Sequence, residues 1–404
     1  MTGRKAEFLL IGGGIASATC AAALRRGGAE GSILLVGREP TPPYHRPPIT
    51  KGYLRGEETE QDTLVRPAEW WEDHGVELLT RTSVMSLDAG TRVAKLSNKE
   101  EVEFNRALIA TGAMVRRLRC DGADLDGIHY LRALGNAVAL ANAAREAEHV
   151  VVIGGSYVGC EVAASLTEMG KSCTILMQEG VTLERGFGRR AGRYFQDVLE
   201  ARGVKVVGDD EVERFVGGGA AAEGVDAVAS VVTRAGRELP ADCVVAGVGA
   251  MPDVMLARKA GLELGETGGV STDGLLETSV PGIFAAGDMC EYDSVIHGRR
   301  LRIEHEDVAA TQGEAAALNM LGSKRPYDTV PYFFAHLSDW ASLEYVGPAL
   351  SWDEEVLRGS TEEGAFSIWY LERGSVRGVL SVGRAEDLDE GRRMIRSGQP
   401  MEGR

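Results

Sequence analysis

Six cysteines, Cys20, Cys120, Cys160, Cys173, Cys243 and Cys290, are scattered over 404 residues, and no two stand in a CxxC spacing. Nor are they grouped with histidines, which argues against a disulfide framework and against a zinc or iron–sulfur centre; most read as small buried hydrophobes. Positive charge is short as well. Against 60 acidic residues stand 44 Lys and Arg, and the net charge of -16 disfavours nucleic acid and anionic membrane surfaces as partners. No apolar run approaches the roughly 18 residues of a membrane span, and the opening Phe8-Leu9-Leu10-Ile11 reaches glycines too soon for a signal peptide. A cytoplasmic protein without a membrane span is therefore expected. A hydrophobic content of 44% is enough to bury the cores of two or three domains.

Two segments repeat one pattern. Glu7 to Ile11 is followed by Gly12-Gly13-Gly14-Ile15-Ala16-Ser17, an alanine-rich helix to Gly27-Gly28, and Ser32 to Val36. Val150 to Ile153 is followed by Gly154-Gly155-Ser156-Tyr157-Val158-Gly159, a helix to Gly170, and Cys173 to Leu176. Each reads as strand, glycine turn, helix and strand, the dinucleotide-binding βαβ unit, whose glycines let backbone N–H groups close on a pyrophosphate. For one copy a tight turn with nothing bound would compete; two copies in full context point to a flavin and a nicotinamide dinucleotide. Glu39, after the second strand, offers a carboxylate for a ribose diol and reads equally as an exposed loop acid.

With "YHRPPITKGYL", "ATGAMVRRL", "GVGAMPD", "TSVPGIFAAGD" and "RIEHEDVAATQGEAA" added, the chain resembles the FAD-dependent pyridine-nucleotide oxidoreductases. The resemblance spans essentially the whole length and falls in the branch of ferredoxin, putidaredoxin and rubredoxin reductases, monodehydroascorbate reductase and apoptosis-inducing factor. It implies an α/β fold of glutathione-reductase-like architecture: two Rossmann-like domains, for FAD and NAD, and a C-terminal α+β domain. The expected layout is FAD-binding over 1–115 and 248–325, NAD(H)-binding over 116–247, and the C-terminal domain over 326–404. In that last domain Phe366 to Leu371 and Val376 to Leu380 read as a hairpin, and Glu386 to Arg396 as a helix.

The resemblance also implies residue roles. Gly12, Gly14, Ile15, Ala16 and Ser17 would cradle the FAD pyrophosphate, Glu39 the adenosine ribose, Asp288 after Gly287 the ribityl chain, and Arg46 the adenosine-pyrophosphate side. Lys51 would reach the flavin near N5, where a cation stabilises the negative charge of reduction, and Glu161 would pair with it; these two are the catalytic candidates. Gly154, Gly155, Val158 and Gly159 would hold the NAD pyrophosphate, with Tyr157 near the nicotinamide. Ala110, Thr111, Gly112, Arg116, Gly247, Gly249, Glu304, His305, Glu306 and Phe334 complete the cofactor-binding set.

Disulfide reductases of this superfamily carry a cysteine pair in the loop region that here reads Arg46-Pro47-Pro48-Ile49-Thr50-Lys51. Its absence implies that electrons leave the flavin directly. Met177 stands where many NADH-using relatives have an acid, Glu179 follows two positions on, and no arginine precedes Arg185 in that stretch. NADH is therefore expected over NADPH. Two departures stand out: Glu306 replaces a usual tryptophan or histidine, and Ala335-His336 replaces serine and aspartate. The expected activity is hydride transfer from NADH to FAD, then single electrons to a [2Fe–2S] ferredoxin or rubredoxin. A quinone or monodehydroascorbate-like acceptor, or an NADH-sensing binding protein like apoptosis-inducing factor, are the alternatives.

Overall fold

The computed structural model describes residues 4–219 and 226–401, so the terminal residues of the two outer expected domains, 1–3 and 402–404, lie outside it. The chain divides into two compact units, the first made of residues 1–45, 61–114 and 250–331, the second of 46–60, 115–249 and 332–404.

The first unit is built on a seven-stranded sheet. Val76–Leu79, Ile33–Val36, Arg4–Ile11 and Glu101–Ile109 lie side by side in that order, all parallel. Ile33 to Val36 and Leu9 to Ile11 are buried throughout, the near-continuous apolar pattern of strands covered on both faces. Glu101–Ile109 changes partners along its length: Val102 and Glu103 pair antiparallel with Val93–Leu96, whereas Ala107 to Ile109 pair parallel with Ile283–Ala285. This register aligns the strand ends. Ile11 is level with both Val36 and Ile109, and Ile109 with Ala285, so the turns beginning at Gly12, Gly37, Ala110 and Ala286 emerge along one edge.

Against this sheet the helix Ile15–Arg26 packs alongside the helix Glu306–Met320. The two approach closely at Gly313, where a Cβ would lie 2.1 Å from the carbonyl oxygen of Ala16, and the Thr19 hydroxyl donates to Ala310 O at 2.9 Å.

The second unit contains a five-stranded parallel sheet in the order Lys205–Val207, Ser172–Leu176, His149–Ile153, Cys243–Ala246 and Ile128–His129. Ile153 is level with Leu176 and Ala246, so Gly154, Met177 and Gly247 again share an edge. Val212–Gly219, Ala227–Thr233 and Glu238–Pro240 form a separate antiparallel sheet. Residues 332–382 form a five-stranded antiparallel sheet covered by the helix Ala385–Ser397, and its hairpin joins Ala365–Glu372 to Ser375–Val382. The mixed α/β class and the parallel sheets are those expected from the sequence.

Gly313→Ala should destabilise the protein by about 1–3 kcal/mol, the range for overpacking a close contact. Gly135→Ala, in a helix position with nothing within 4 Å of an added Cβ, should be stabilising by about 0.4–1 kcal/mol. Urea unfolding of both variants checks the pair; equal effects would refute the close approach at Gly313.

Candidate functional site

Within the first unit, the strand Arg4–Ile11 ends at Gly12 with φ +124°, and a Cβ there would lie 2.1 Å from Ala110 O. Glycine is required on both counts. Gly14 then caps the helix Ile15–Arg26 with no side-chain hydrogen bond to its first N–H groups, and nothing lies within 4 Å of where its Cβ would be. Ser17 in the first turn is 0% exposed, and its hydroxyl finds no partner among the described residues. An open helix N-terminus beside a buried, unused hydroxyl fits the pyrophosphate of a dinucleotide.

The other candidates of this unit gather on the same strand edge. The Tyr44 hydroxyl donates to Glu39 Oε2 at 2.5 Å. Thr111 Oγ1 donates to Asp253 O at 2.6 Å, and Gly112 O accepts from Asp253 N at 2.8 Å. Gly287 N donates to Gln312 Oε1 at 2.8 Å, and Arg302 Nη1 joins Asp288 O at 2.9 Å to Glu304 Oε1 at 2.6 Å. His305 caps the helix Glu306–Met320, its Nδ1 accepting from Asp307 N at 3.2 Å.

Glu306 is not a bare carboxylate in an aromatic's place. Its Oε1 lies 2.5 Å from Nδ1 of His45, and this hydrogen bond raises the imidazole pKa above its ordinary value, against partial burial and the nearby Arg66. No local spacing predicts this pair, since 261 residues separate the two. Thr50 and Gln312 are two further participants that the sequence did not single out.

In the second unit Gly154 has φ +106°, and a Cβ would lie 2.5 Å from Gly247 O. Ser156 caps the helix Tyr157–Glu168 without a side-chain hydrogen bond, again leaving the first N–H groups available. Val158 is exposed; the Tyr157 ring packs edge-on to Phe187 with centroids 5.7 Å apart. Arg116 N donates to Gly249 O at 3.0 Å. The residues present fit a second dinucleotide. Glu179 lies beyond the strand Ser172–Leu176 and is ion-paired with Arg185.

Residues 46–60 belong to this unit, and Glu161 is one of the residues that tie them to it. One turn into the helix and 6% exposed, its carboxylate is an intersection. Oε2 lies 2.8 Å from Lys51 Nζ and accepts from Thr50 Oγ1 at 2.7 Å; Oε1 accepts from His336 N at 3.2 Å. Lys51 Nζ stands 5.9 Å from the centre of the Phe334 ring, and the His336 ring, two residues along the same strand, lies 5.6 Å from that ring. Burial first, and the Lys51 charge next, lower the His336 pKa. Arg46 caps the short 3-10 turn Pro47–Thr50, and its guanidinium donates to Arg132 O.

All six cysteines are free. Burial pushes the Cys173 thiol up to about 11 and the Cys243 and Cys290 thiols up to about 12, while Cys20, Cys120 and Cys160 are also raised by burial. A thiol exchanging electrons with a flavin needs the opposite shift, toward the thiolate.

The pyridine nucleotide-disulphide oxidoreductase model matches residues 6–313, and a reductase C-terminal model matches 338–404. The chain is a pyridine nucleotide-disulphide oxidoreductase. As a member of that family it uses FAD and a nicotinamide dinucleotide. It is 32% identical to the ferredoxin reductase subunit of a 5,5'-dehydrodivanillate O-demethylase from Sphingobium, over 97% of this chain and 93% of that protein. A crystal structure of a ferredoxin reductase from Rhodopseudomonas palustris is 32% identical, with TM-score 0.91 over 98% of this chain and 95% of that one. The reductase in a covalent putidaredoxin reductase–putidaredoxin complex is 29% identical, with TM-score 0.91 over 99% and 94%. This oxidoreductase thus sits among ferredoxin reductases, the branch its motifs resemble. Among its described residues no helix is long and apolar enough to cross a membrane.

Glu306→Gln should lower the His45 midpoint toward its ordinary value, read by NMR titration of the imidazole protons. Because the pair raises the folded-state pKa, its stabilisation is present in full below about 6.5 and fades as pH rises through the folded value. The stability lost on substitution should therefore be largest in mildly acidic buffer and vanish in alkaline buffer. A loss independent of pH would show that the pair does not carry the charge.

Proposed function

We propose that this oxidoreductase takes hydride from NADH onto FAD and passes single electrons to a [2Fe–2S] ferredoxin or a rubredoxin. The observation that carries the reading is the pair of uncapped helix N-termini behind Gly12 and Gly154, in a chain whose cysteines are free and held as thiols by burial. Two dinucleotides can be bound, and no dithiol stands ready to take electrons from the flavin. Relatives named for ferredoxin and putidaredoxin support the same class of acceptor here. NADH is preferred in this reading because Glu179 supplies the carboxylate at the end of the second strand. Free thiols throughout fit a cytoplasmic, reducing setting. Residues 1–115 with 248–325, 116–247 and 326–404 are proposed as the FAD, NAD and C-terminal domains.

FAD supplies the chemistry that turns a two-electron donor into single-electron steps. The chain's own residues position and polarise. Gly12 to Ser17 bind one pyrophosphate and Gly154 to Gly159 the other. Lys51 is a cation whose direction is set by Glu161 Oε2 at 2.8 Å, with Thr50 on the same oxygen. As in the family it resembles, its ammonium would supply the cation that stabilises negative charge on a reduced flavin.

Anaerobic stopped-flow mixing of the FAD-loaded protein with NADH should show flavin bleaching, and Lys51→Met should slow it by about a hundredfold in a protein that still folds but melts at a lower temperature, because buried Glu161 loses its cation. An unchanged rate would remove Lys51 from the mechanism. Steady NADH-driven reduction should proceed with a [2Fe–2S] ferredoxin and exceed that with a quinone; turnover only with quinone would overturn the choice of acceptor.

A further inference from the structure

Three aromatic rings lead from the second glycine unit to the C-terminal sheet, all inside the second compact unit. Tyr157 is the first residue of the helix after Gly154-Gly155-Ser156, and its ring meets that of Phe187 edge-on, with centroids 5.7 Å apart and planes at 87°. Phe187 in turn meets Tyr345 edge-on at 5.0 Å and 74°. Phe187 and Tyr345 are 2% and 3% exposed, so the link between them is interior. Both are held in place by the C-terminal sheet. The Phe187 carbonyl accepts from the Tyr370 hydroxyl at 2.8 Å. At Gly188, φ +74°, the helix Glu184–Ala201 departs from regular geometry, and a Cβ there would lie 3.1 Å from the Trp352 ring. Tyr345 stands on the strand Ala341–Val346, and its Oη accepts from Ala349 N at 2.6 Å. Cβ atoms at Gly347 and Gly378 would lie 2.5 and 2.3 Å from that oxygen, so the ring fills its slot completely.

We propose that Phe187 and Tyr345 are positioning residues for nicotinamide binding, holding the Tyr157 ring in the orientation that receives the nicotinamide end of the dinucleotide. The inference rests on the reading of residues 149–176 as the nicotinamide-nucleotide unit with Tyr157 beside the nicotinamide. A ring already ordered by its neighbours loses little freedom when a ligand packs on it. A ring released from them must be ordered by the ligand, and affinity falls. The adenosine and pyrophosphate are held in this reading by the glycine turn, whose backbone is fixed by the sheet. Support for Tyr157 therefore acts on one half of the dinucleotide only, and a C-terminal side chain bears on nicotinamide binding without touching the nucleotide.

Calorimetric titration of the FAD-loaded protein with NAD+ and with ADP-ribose, which lacks the nicotinamide, tests this without reading turnover. Phe187→Leu should weaken NAD+ about threefold to tenfold, the worth of an edge-on ring pair, and leave ADP-ribose within about twofold. Phe187→Met, which fills the same space, should do likewise if the leucine variant does not fold. Tyr345→Leu should repeat the pattern, and Tyr345→Phe, which keeps the ring and loses only the hydroxyl, should retain most of the NAD+ affinity. In a Tyr157→Leu background, Phe187→Leu should cost NAD+ nothing further. Equal weakening of NAD+ and ADP-ribose, no weakening of either, or a full additional loss in the Tyr157→Leu background overturns the proposal. If the wild type binds neither ligand, the nicotinamide reading itself has failed and this inference with it.

Discussion

The carbonyl oxygens of Ala110 and Gly247 each occupy the place where a side chain at Gly12 or Gly154 would have to be, at 2.1 and 2.5 Å. Both candidate dinucleotide turns depend on that close approach. It exists because neighbouring parallel strands end in register, Ile11 with Ile109 and Ile153 with Ala246. A strand exiting beside its neighbour's carbonyl can turn sharply into a helix only if it carries no Cβ and can take a positive φ. The reward is a helix that begins just beyond the sheet edge with its first N–H groups unsatisfied, which is where an anionic pyrophosphate is stabilised.

Around those turns the charged groups are held in pairs rather than left to solvent. Glu161 gathers Thr50, Lys51 and the backbone of His336 from separate stretches of the chain, all within one compact unit. Its 6% exposure makes the arrangement costly to break, about 3–5 kcal/mol for a buried charge stripped of its partner. The consequence is a lysine of fixed direction. His45 with Glu306, and Arg185 with Glu179, follow the same rule with more exposure and so with more freedom to respond to pH or to a ligand.

Much of this was legible in the linear sequence because the physics behind it is local. A βαβ unit needs an apolar strand, glycines at fixed offsets and a helix within about thirty residues, and both copies were readable at "IGGGIAS" and "VVIGGSYVGCE". The hairpin around Arg373-Gly374 and the last helix were likewise set by alternation and periodicity, and the structure places them at Ala365–Val382 and Ala385–Ser397. The lack of any CxxC spacing spoke against a redox-active dithiol without coordinates.

The family resemblance implied that Lys51 and Glu161 pair, but the partners of Glu306 and Glu179 were decided only by tertiary structure. The glutamate at 306 read as a missing aromatic until the fold brought His45 to it, and Glu179 read as a bare acid until the helix Glu184–Ala201 folded Arg185 back. The segment 46–60 lay in sequence beside the first glycine unit, yet hydrogen bonds to Glu161 and Ser165 tie it into the second compact unit. Sequence determined which backbone turns can exist, because glycine and apolar spacing act over a few residues. Tertiary structure determined how Glu306 is partnered, because an ion pair depends on distance in space, and the 261 residues between His45 and Glu306 leave no trace in the local pattern.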